Sequence, residues 1–327
     1  MTRFLAQDAK HDNEVALRLS HPSVFANPQC LSPSWYAVCR STKVGRRRPL
    51  PLNRFGRRIV VWRTDSGGAQ VADARCPHLG ADLGQGTLDN GLLRCRFHRW
   101  AFDAAGRCVD TAGHKERPTR CLRTYATIER YGFIWCYVAG EPRFQLPVIP
   151  EADRFQTIRA PAQLIRVHPH VVIGNGLDLI HFESLHGMRF TQEPTIDTPG
   201  EHRIDIQLRG HPRSRVIRWL TGTRRRDIIA SFTTVGGNLA ISSVTSPLRM
   251  HVLFAAQPTE HGHALTQTIW FLPRGLGLAK ARAVLLMSSL LHDDRKILER
   301  MDFHPSFAEA DAPLRRFAED VEAMGTA

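Results

Sequence analysis

The chain has 327 residues, 43% of them hydrophobic, and a formal net charge of +13. This length suits two domains with proper cores. No stretch reaches the roughly 20 consecutive apolar residues of a spanning helix, and the first 20 residues lack the apolar core of a signal peptide, so we expect no membrane span. The seven cysteines form no tight disulfide framework, which favours a cytoplasmic protein with reduced thiols.

The positive charge first suggests a nucleic-acid partner. The arginines are dispersed, however, with small knots at residues 46–48 and 224–226, and no nucleic-acid motif accompanies them. We therefore expect a solvated basic surface and no nucleic acid. The basic stretch at residues 215–226 favours an anionic substrate only where it faces a pocket.

In chain order, a polar N-terminal segment (1–33) precedes a β-rich module (34–145) and a mixed α and β region (146–327). Pro142, Pro147 and Pro150 mark the linker between the module and the mixed region. A helix is predicted over 173–185, strands over 204–208, 216–220, 228–233, 239–244, 252–255 and 266–272, and helices over 277–301 and 308–323. Antiparallel strands with packed helices indicate an α+β fold class.

Two short clusters, C-P-H from Cys76 to His78 and C-R-F-H from Cys95 to His98, each offer one thiolate and one imidazole. Such a set can hold zinc, or a [2Fe-2S] cluster with Cys on one iron and His on the other. A zinc finger usually pairs Cys with Cys and His with His along the chain. Because each of two loops must give one ligand to each iron, the alternation seen here favours the iron–sulfur cluster, with zinc as the alternative.

The segment C-P-H-L-G-A through C-R-F-H-R-W-A-F-D resembles the Rieske family. High-potential Rieske proteins of respiratory chains carry an extra Cys in each loop, at the places of Ala81 and Phe97 here. The resemblance therefore implies a low-potential cluster, of the type found in oxygenases and their ferredoxins, held by the four residues Cys76, His78, Cys95 and His98.

Three arginines, Arg94, Arg96 and Arg99, lie in or next to the second Cys/His cluster. Related oxygenases usually have Pro and Gly where Arg96 and Arg99 stand. We expect an unusually basic loop surface, on which an acidic ferredoxin or reductase docks. The rate of cluster reduction should then depend on ionic strength.

A second constellation, D-x-x-H-x-x-x-x-H, comprises Asp178, His181 and His186. Asp178 and His181 share a helix face. The two histidines would diverge by roughly 140° on an ideal helix, so both can bind one metal only if the helix ends or loosens between them, as Gly187 indicates. Two His and a carboxylate are the ligands of a mononuclear Fe(II) site with positions open for oxygen. Structural histidines are the alternative for this pattern taken alone.

Together the two motifs resemble Rieske non-haem iron oxygenases, the terminal (alpha) components, and their homotrimeric monooxygenase-like branch. The resemblance spans about residues 34–300 and implies a Rieske domain followed by a catalytic helix-grip (START-like) domain, with the N-terminal segment 1–33 packed on the latter. It makes His181 and His186 iron ligands. Asp178 would link His98 of one subunit to an iron-ligand histidine of the next, which implies a homotrimer. Asn175 matches a polar position near the iron, and a helix-surface role for it is equally open.

The third iron ligand, by the same resemblance, is a carboxylate on a late helix, followed three residues later by an apolar residue. Asp294 fits, with Ile297 at the apolar position. Asp293, Glu299 and Asp302 are the competing carboxylates.

These observations predict a terminal oxygenase. It would take electrons from a separate ferredoxin or flavin reductase through the Rieske cluster and activate O2 at Fe(II) to hydroxylate, demethylate or otherwise oxygenate a bulky apolar organic substrate. No G-x-G-x-x-G nucleotide-binding pattern is present, which places NAD(P)H oxidation elsewhere. The alternatives are a Rieske electron carrier, a desaturase or oxidative cyclase that inserts no oxygen, and a basic zinc protein.

Overall fold

A computed structural model of the chain describes residues 31–113, 115, 120–220, 226–275 and 277–325. The chain divides into two compact units, one spanning Pro33–Gln145 and the other running from Leu146 onward. The expected packing of the N-terminal segment falls on residues 1–30, which lie outside the described residues, as do residues 224 and 225 of the second arginine knot.

The described residues of the first unit form three antiparallel sheets with the strand orders β1-β11-β10, β2-β3-β4-β9 and β5-β6-β7-β8. The strands are β1 (Ser34–Arg40), β2 (Leu50–Arg54), β3 (Arg57–Arg63), β4 (Ala69–Asp73), β5 (Thr87–Asp89), β6 (Leu92–Arg94), β7 (Ala101–Phe102), β8 (Cys108–Asp110), β9 (Thr124–Tyr125), β10 (Thr127–Arg130) and β11 (Phe133–Val138).

A buried apolar cluster of this unit includes the cysteine of each Cys/His cluster. Val60 and Trp62 of β3 pack there with Phe102, and the Trp62 indole donates to the Gly91 carbonyl at 3.1 Å, so its N–H remains satisfied. Cys76 and Cys95 belong to the same buried group. Both clusters therefore start from a close-packed base that restrains their first residue.

The second unit contains one antiparallel sheet of nine described strands, in the order β12-β20-β19-β18-β17-β16-β14, with β13 paired to β20 and β15 to β16. These strands are β12 (Phe155–Arg159), β13 (Gln163–Ile165), β14 (Met188–Phe190), β15 (Thr195–Gly200), β16 (Arg203–Pro212), β17 (Ile228–Val235), β18 (Leu239–Ser246), β19 (Met250–Pro258) and β20 (Ala264–Pro273).

Five described helices accompany this sheet: α1 (Pro169–Gly174), α2 (Leu179–Ser184), α3 (Arg215–Leu220), α4 (Leu278–Leu298) and α5 (Ala312–Met324). Phe317 and Val321 of α5 pack with Ile173 of α1 against strands β16 to β19, while Met287 and Leu291 of α4 pack on β19 and β20. Within the described ranges no helix is long and apolar enough to cross a membrane. The predicted α+β fold class, with a β-rich first unit and an antiparallel sheet accompanied by helices in the second, is confirmed.

The strand predicted over 216–220 is wrong, because these residues belong to α3. Ser214 begins that helix: its hydroxyl accepts from the Ile217 amide at 3.3 Å, and its carbonyl accepts from the Arg218 amide. Such a cap satisfies amides that the first turn leaves unpaired, and it outweighs the strand preference of a short apolar run.

The single helix predicted over 173–185 is also wrong, because the segment is broken. A 3-10 turn over Asn175–Leu177 follows α1, and Asp178 then leaves the helical conformation and caps α2. At Gly176 an added Cβ would lie 2.0 Å from the Phe232 ring, so the turn needs glycine. The break redirects the chain just before His181.

Candidate functional site

The two loops that carry the Cys/His clusters have the same backbone pattern. In the first cluster loop (76–81) the Cys76 amide donates to the Ala81 carbonyl at 2.9 Å, and the Gly80 amide to the Cys76 carbonyl at 2.8 Å. In the second cluster loop (95–100) the Cys95 amide donates to the Trp100 carbonyl at 2.8 Å, and the Arg99 amide to the Cys95 carbonyl at 3.1 Å. Each loop is thus a closed turn that begins at its cysteine.

The two cysteine sulfurs face each other. The Cys76 and Cys95 thiol groups are hydrogen-bonded to one another, and because the pair shares one proton, the pKa of Cys95 is lowered and that of Cys76 is raised. Backbone amides of each loop also donate to its own sulfur: those of His78 and Leu79 to Cys76, and those of Phe97 and His98 to Cys95. Such donors stabilise thiolates and also tune a bound iron–sulfur cluster.

The two histidines form a second pair, with ring centroids 4.5 Å apart. The His78 ring stacks on Trp100 at 4.1 Å and 9°, and the His98 ring lies 3.8 Å from that of Phe97. His78 Nδ1 is buried and has no hydrogen-bond partner among the described residues. Paired sulfurs, paired imidazoles and a buried nitrogen without a partner fit a [2Fe-2S] cluster with Cys on one iron and His on the other.

Arg94 does not present the free positive charge that the sequence led us to expect. Its side chain is 11% exposed and forms ion pairs with Asp89 at 3.0 Å and Asp110 at 2.7 Å. Arg96 and Arg99 are exposed, beside exposed Phe97. The basic character of this loop surface therefore comes from Arg96 and Arg99.

In the second unit, His181, His186 and Asp294 come together, with one ligand atom of each within 4.8 Å of the others. Asp294 Oδ1 lies 2.9 Å from His186 Nε2 and 3.8 Å from His181 Nε2. Yet Asp294 Oδ1 is buried without a hydrogen-bond partner in the described part of the chain, as is His186 Nδ1. Three convergent groups that are close but not hydrogen-bonded fit a mononuclear iron with two imidazoles and one carboxylate.

The broken helix explains how two histidines five residues apart meet. His181 lies in α2, which ends at Ser184, so His186 follows in the connection to β14, where Gly187 has a φ of +60°. His181 Nδ1 hydrogen-bonds the Asp178 carbonyl oxygen, which leaves Nε2 to face Asp294. Burial lowers the pKa of His181, and this favours the neutral imidazole that a metal requires.

Asp178 and Asn175 lie beside this group. Asp178 Oδ1 accepts from the His181 amide at 3.0 Å and so caps α2, and the residue is only partly buried. Asn175 begins the 3-10 turn and lines the adjoining cavity. Of the competing carboxylates, Glu299 accepts from Arg295 at 2.7 Å, and neither it, Asp293 nor Asp302 belongs to the described three-residue group.

A cavity of about 580 Å³ adjoins the group, with His181, His186 and Asp294 in its wall. Its lining is mainly apolar and comes from sheet strands β16 to β20 and from α1, α3 and α4. Ile217 and Trp219 of α3 face it, and Trp219 is 55% exposed, which places it at an opening. The lining assembles from elements that are distant in sequence, so no short motif contains it.

Comparison with known proteins gives a domain family that matches most of the first unit. Residues 34–126 match the family described as Rieske [2Fe-2S] domain. The chain is 39% identical over 132 residues, 38% of its length, to aminopyrrolnitrin oxygenase PrnD of Pseudomonas fluorescens. It is 31% identical over 175 residues, 52% of its length, to cholesterol 7-desaturase nvd of Bombyx mori. The matches span 36% and 39% of these relatives' own length.

The fold extends the similarity over both units. Apo dicamba monooxygenase has a TM-score of 0.69 at 18% identity, with 90% of this chain and 96% of that chain covered. The chain thus carries a Rieske [2Fe-2S] domain, has the same fold as dicamba monooxygenase, and is related in sequence to an oxygenase and a desaturase.

Proposed function

We propose that this chain is the terminal oxygenase of a Rieske system and oxidises a bulky apolar substrate. The observation that carries the proposal is the convergence of His181, His186 and Asp294 on the wall of the apolar cavity. Cys76, His78, Cys95 and His98 would hold the [2Fe-2S] cluster, and His181, His186 and Asp294 the mononuclear Fe(II). When bound, the two groups supply one-electron transfer and O2 activation.

The chain's own residues prepare this chemistry. The Asp178 carbonyl holds the proton on His181 Nδ1, so that Nε2 stays available as a ligand. The apolar lining binds the substrate by excluding water, and it shields the iron ligands from bulk solvent. Asn175, on the same wall, can orient the substrate through its amide.

The cavity favours a largely apolar substrate. About 580 Å³ falls within the range of roughly 300–1,000 Å³ that holds drug-sized ligands. The arginines of α3 do not support an anionic substrate, because α3 contributes Ile217 and Trp219 to the described lining, not Arg215 or Arg218. In the described part of the basic stretch, residues 215–220, the arginines therefore lie apart from the cavity lining, whose one described arginine is Arg295 of α4.

We further propose that a ferredoxin or flavin reductase supplies the electrons and that the chain works in the cytoplasm. Arg96 and Arg99 beside exposed Phe97 would suit an acidic partner. None of the six described cysteines forms a disulfide, in keeping with a reducing compartment.

A homotrimer is proposed on the role of Asp178 as a link between subunits. Two apolar surfaces support it: Leu79 and Phe97 on the cluster loops are 66% and 62% exposed, and Ile180 and Leu185 around α2 are 50% and 39% exposed. A second copy that covers one with the other would bring His98 to Asp178. Light scattering would measure the oligomer. Mixed oligomers of His98→Ala and Asp294→Ala chains should regain part of the activity, and no recovery would contradict transfer between subunits.

Iron analysis and turnover test the main proposal. The purified chain should hold about three irons, two in the cluster and one alone. His186→Ala should hold about two, keep the cluster's EPR signal and lose O2 consumption coupled to a surrogate reductase. His292→Ala, an exposed histidine on α4, is the matched control and should behave as wild type. Only two irons in the wild-type chain would contradict the oxygenase proposal and indicate an electron carrier instead.

Isotope labelling separates oxygenation from the desaturase alternative. With ¹⁸O2 and a panel of neutral polycyclic and aromatic ether substrates, hydroxylation or demethylation leaves product changes that mass spectrometry distinguishes from loss of two hydrogens. We expect oxygen insertion or dealkylation. A product that lacks only two hydrogens would contradict the oxygenase proposal and show that the chain is a desaturase.

A further inference from the structure

Arg94 is the one of the three loop arginines whose side chain turns inward. Its Nη1 donates to Asp110 Oδ2 at 2.7 Å and to the Arg99 carbonyl at 2.8 Å, while Nη2 donates to Asp89 Oδ2 at 3.0 Å. The planar guanidinium suits this task, because its donors point in fixed directions to three acceptors at once.

The sheet register explains why Arg94 reaches these partners. Arg94 on β6 is paired with Ala101 on β7, and Ala101 is paired with Asp110 on β8, so the three residues form one row across the sheet. Ala101, with its single methyl group, leaves room for a long side chain to cross the middle strand. Asp89 lies on β5, on the other side of β6.

The third acceptor connects this row to the second cluster loop. Arg99 has a φ of +65°, a left-handed conformation that a side chain with a Cβ disfavours. Its amide donates to Cys95, and its carbonyl accepts from Arg94. Arg94 therefore holds, from outside the loop, the carbonyl of the left-handed residue that directly follows His98.

We propose that Arg94 is a positioning residue for the iron–sulfur cluster: it clamps the Arg99 carbonyl to the sheet and so keeps Cys95 and His98 in register as ligands. The proposal rests on the proposed ligand assignment of those two residues. Asp89 and Asp110 anchor the guanidinium, and the loop contact is what orients the ligands.

The test compares Arg94→Ala and Arg94→Lys with Arg96→Ala in the full chain. Arg96 is exposed in the same loop, so its removal takes away the same charge without the clamp. The readouts are the EPR g-values of the reduced cluster, its midpoint potential, and the rate at which a chelator removes cluster iron.

Arg94→Ala should shift the g-values, lower the potential because two carboxylates lose their cation, and speed iron loss by about 10–100-fold, as for loss of other groups that orient metal ligands. Arg94→Lys should keep the potential near that of wild type while iron loss stays faster, since an ammonium cannot hold three acceptors in one plane. Arg96→Ala should match wild type in g-values and iron loss.

Arg94→Lys decides the question even if Arg94→Ala does not fold. A lysine variant identical to wild type in all three readouts would overturn the clamp, because charge alone would then suffice. An alanine variant identical to wild type would do the same. A wild-type chain with no Rieske EPR signal would overturn the proposed function as well, so the two failures are distinguishable.

Discussion

The two cluster loops share one backbone pattern but stabilise it by different means. Each closes through an amide of its cysteine and an amide four residues later, and that fourth residue has a positive φ in both: +77° at Gly80 and +65° at Arg99. The first loop meets this demand with glycine, which adopts such angles at little cost. The second places an arginine there and holds its carbonyl with Arg94.

The same closed turn therefore depends on the residue type in the first loop and on a contact from outside the loop in the second. The base of the first loop also has an arginine, Arg58, which pairs with Asp82 at 3.1 Å. That pair is partly exposed, at 40% and 28% of the two side chains, and the described hydrogen bonds of the Arg58 guanidinium go to the side chains of Asp82 and Asn53, not to a loop carbonyl. Substitutions in the two loops should therefore have unequal effects.

The largest loss of stability is expected on substitution of Trp100, because this residue connects the two cluster loops. Trp100 belongs to the second loop, is 6% exposed and stacks on His78 of the first. Trp100→Ala should lower the free energy of unfolding by about 3–5 kcal/mol, as for other buried aromatic residues, and should alter the EPR spectrum through His78. Urea unfolding followed by cluster absorbance measures the cost. Val109→Ala, at a side chain on β8 that is 38% exposed, should change stability by at most about 0.5 kcal/mol, and equal costs would contradict this expectation.

Gly80→Ala should cause the next largest loss of stability. An added Cβ at Gly80 meets no heavy atom within 4 Å, so the cost should come from φ alone, about 1–2 kcal/mol. Thermal unfolding of the cluster-loaded chain measures it. Gly45, equally open but without a positive φ, is the control, and Gly45→Ala should be neutral or slightly stabilising. The same loss at both positions would show that the left-handed angle is not the cause.

Arg99→Gly should place a glycine at the residue of the second loop that has a positive φ, as the first loop has at Gly80. Removing the Cβ at a φ of +65° should raise the unfolding free energy, by at most about 1 kcal/mol. The contact to Arg94 should survive, because it uses the Arg99 carbonyl. Calorimetry and unchanged EPR g-values check this expectation. A destabilised glycine variant would show that the Arg99 side chain itself supports the loop.

Arg58→Ala should cause the smallest loss of stability. Exposed ion pairs contribute about 0.2–1 kcal/mol and are screened by salt, so the loss should shrink further at high ionic strength. Urea unfolding at low and high salt measures it. A free energy of unfolding lower by clearly more than about 1 kcal/mol, at high salt as at low salt, would contradict the difference between the loops.

The fold classes of both units followed from patterns local in sequence, namely short strands with turns and then mixed strands and helices. Two local predictions failed for physical reasons that a short window misses. Residues 216–220 are helical because Ser214 caps them, and the segment 173–185 is broken because Asp178 caps a new helix and Gly176 packs against Phe232.

The candidate metal ligands could also be predicted from the sequence. Most of them lie in short motifs, which their residue types and spacing identify. The role proposed for Arg94 was out of reach, since it depends on the register that pairs Arg94 with Ala101 and Ala101 with Asp110. Neighbouring sequence suggested a surface charge instead. The cavity was equally hidden, because its wall draws on most strands of one sheet.

The acceptor that orients His181 is a main-chain oxygen, that of Asp178. Such an acceptor is present whatever side chain occupies position 178, so replacing the carboxylate should leave the imidazole tautomer intact. Substitutions at Asp178 can therefore separate what the carboxylate does, through its cap on the His181 amide and in the proposed link between subunits, from what the carbonyl does for the His181 imidazole. Only a change in the path of the chain, at the turn before residue 179, could remove that second contribution.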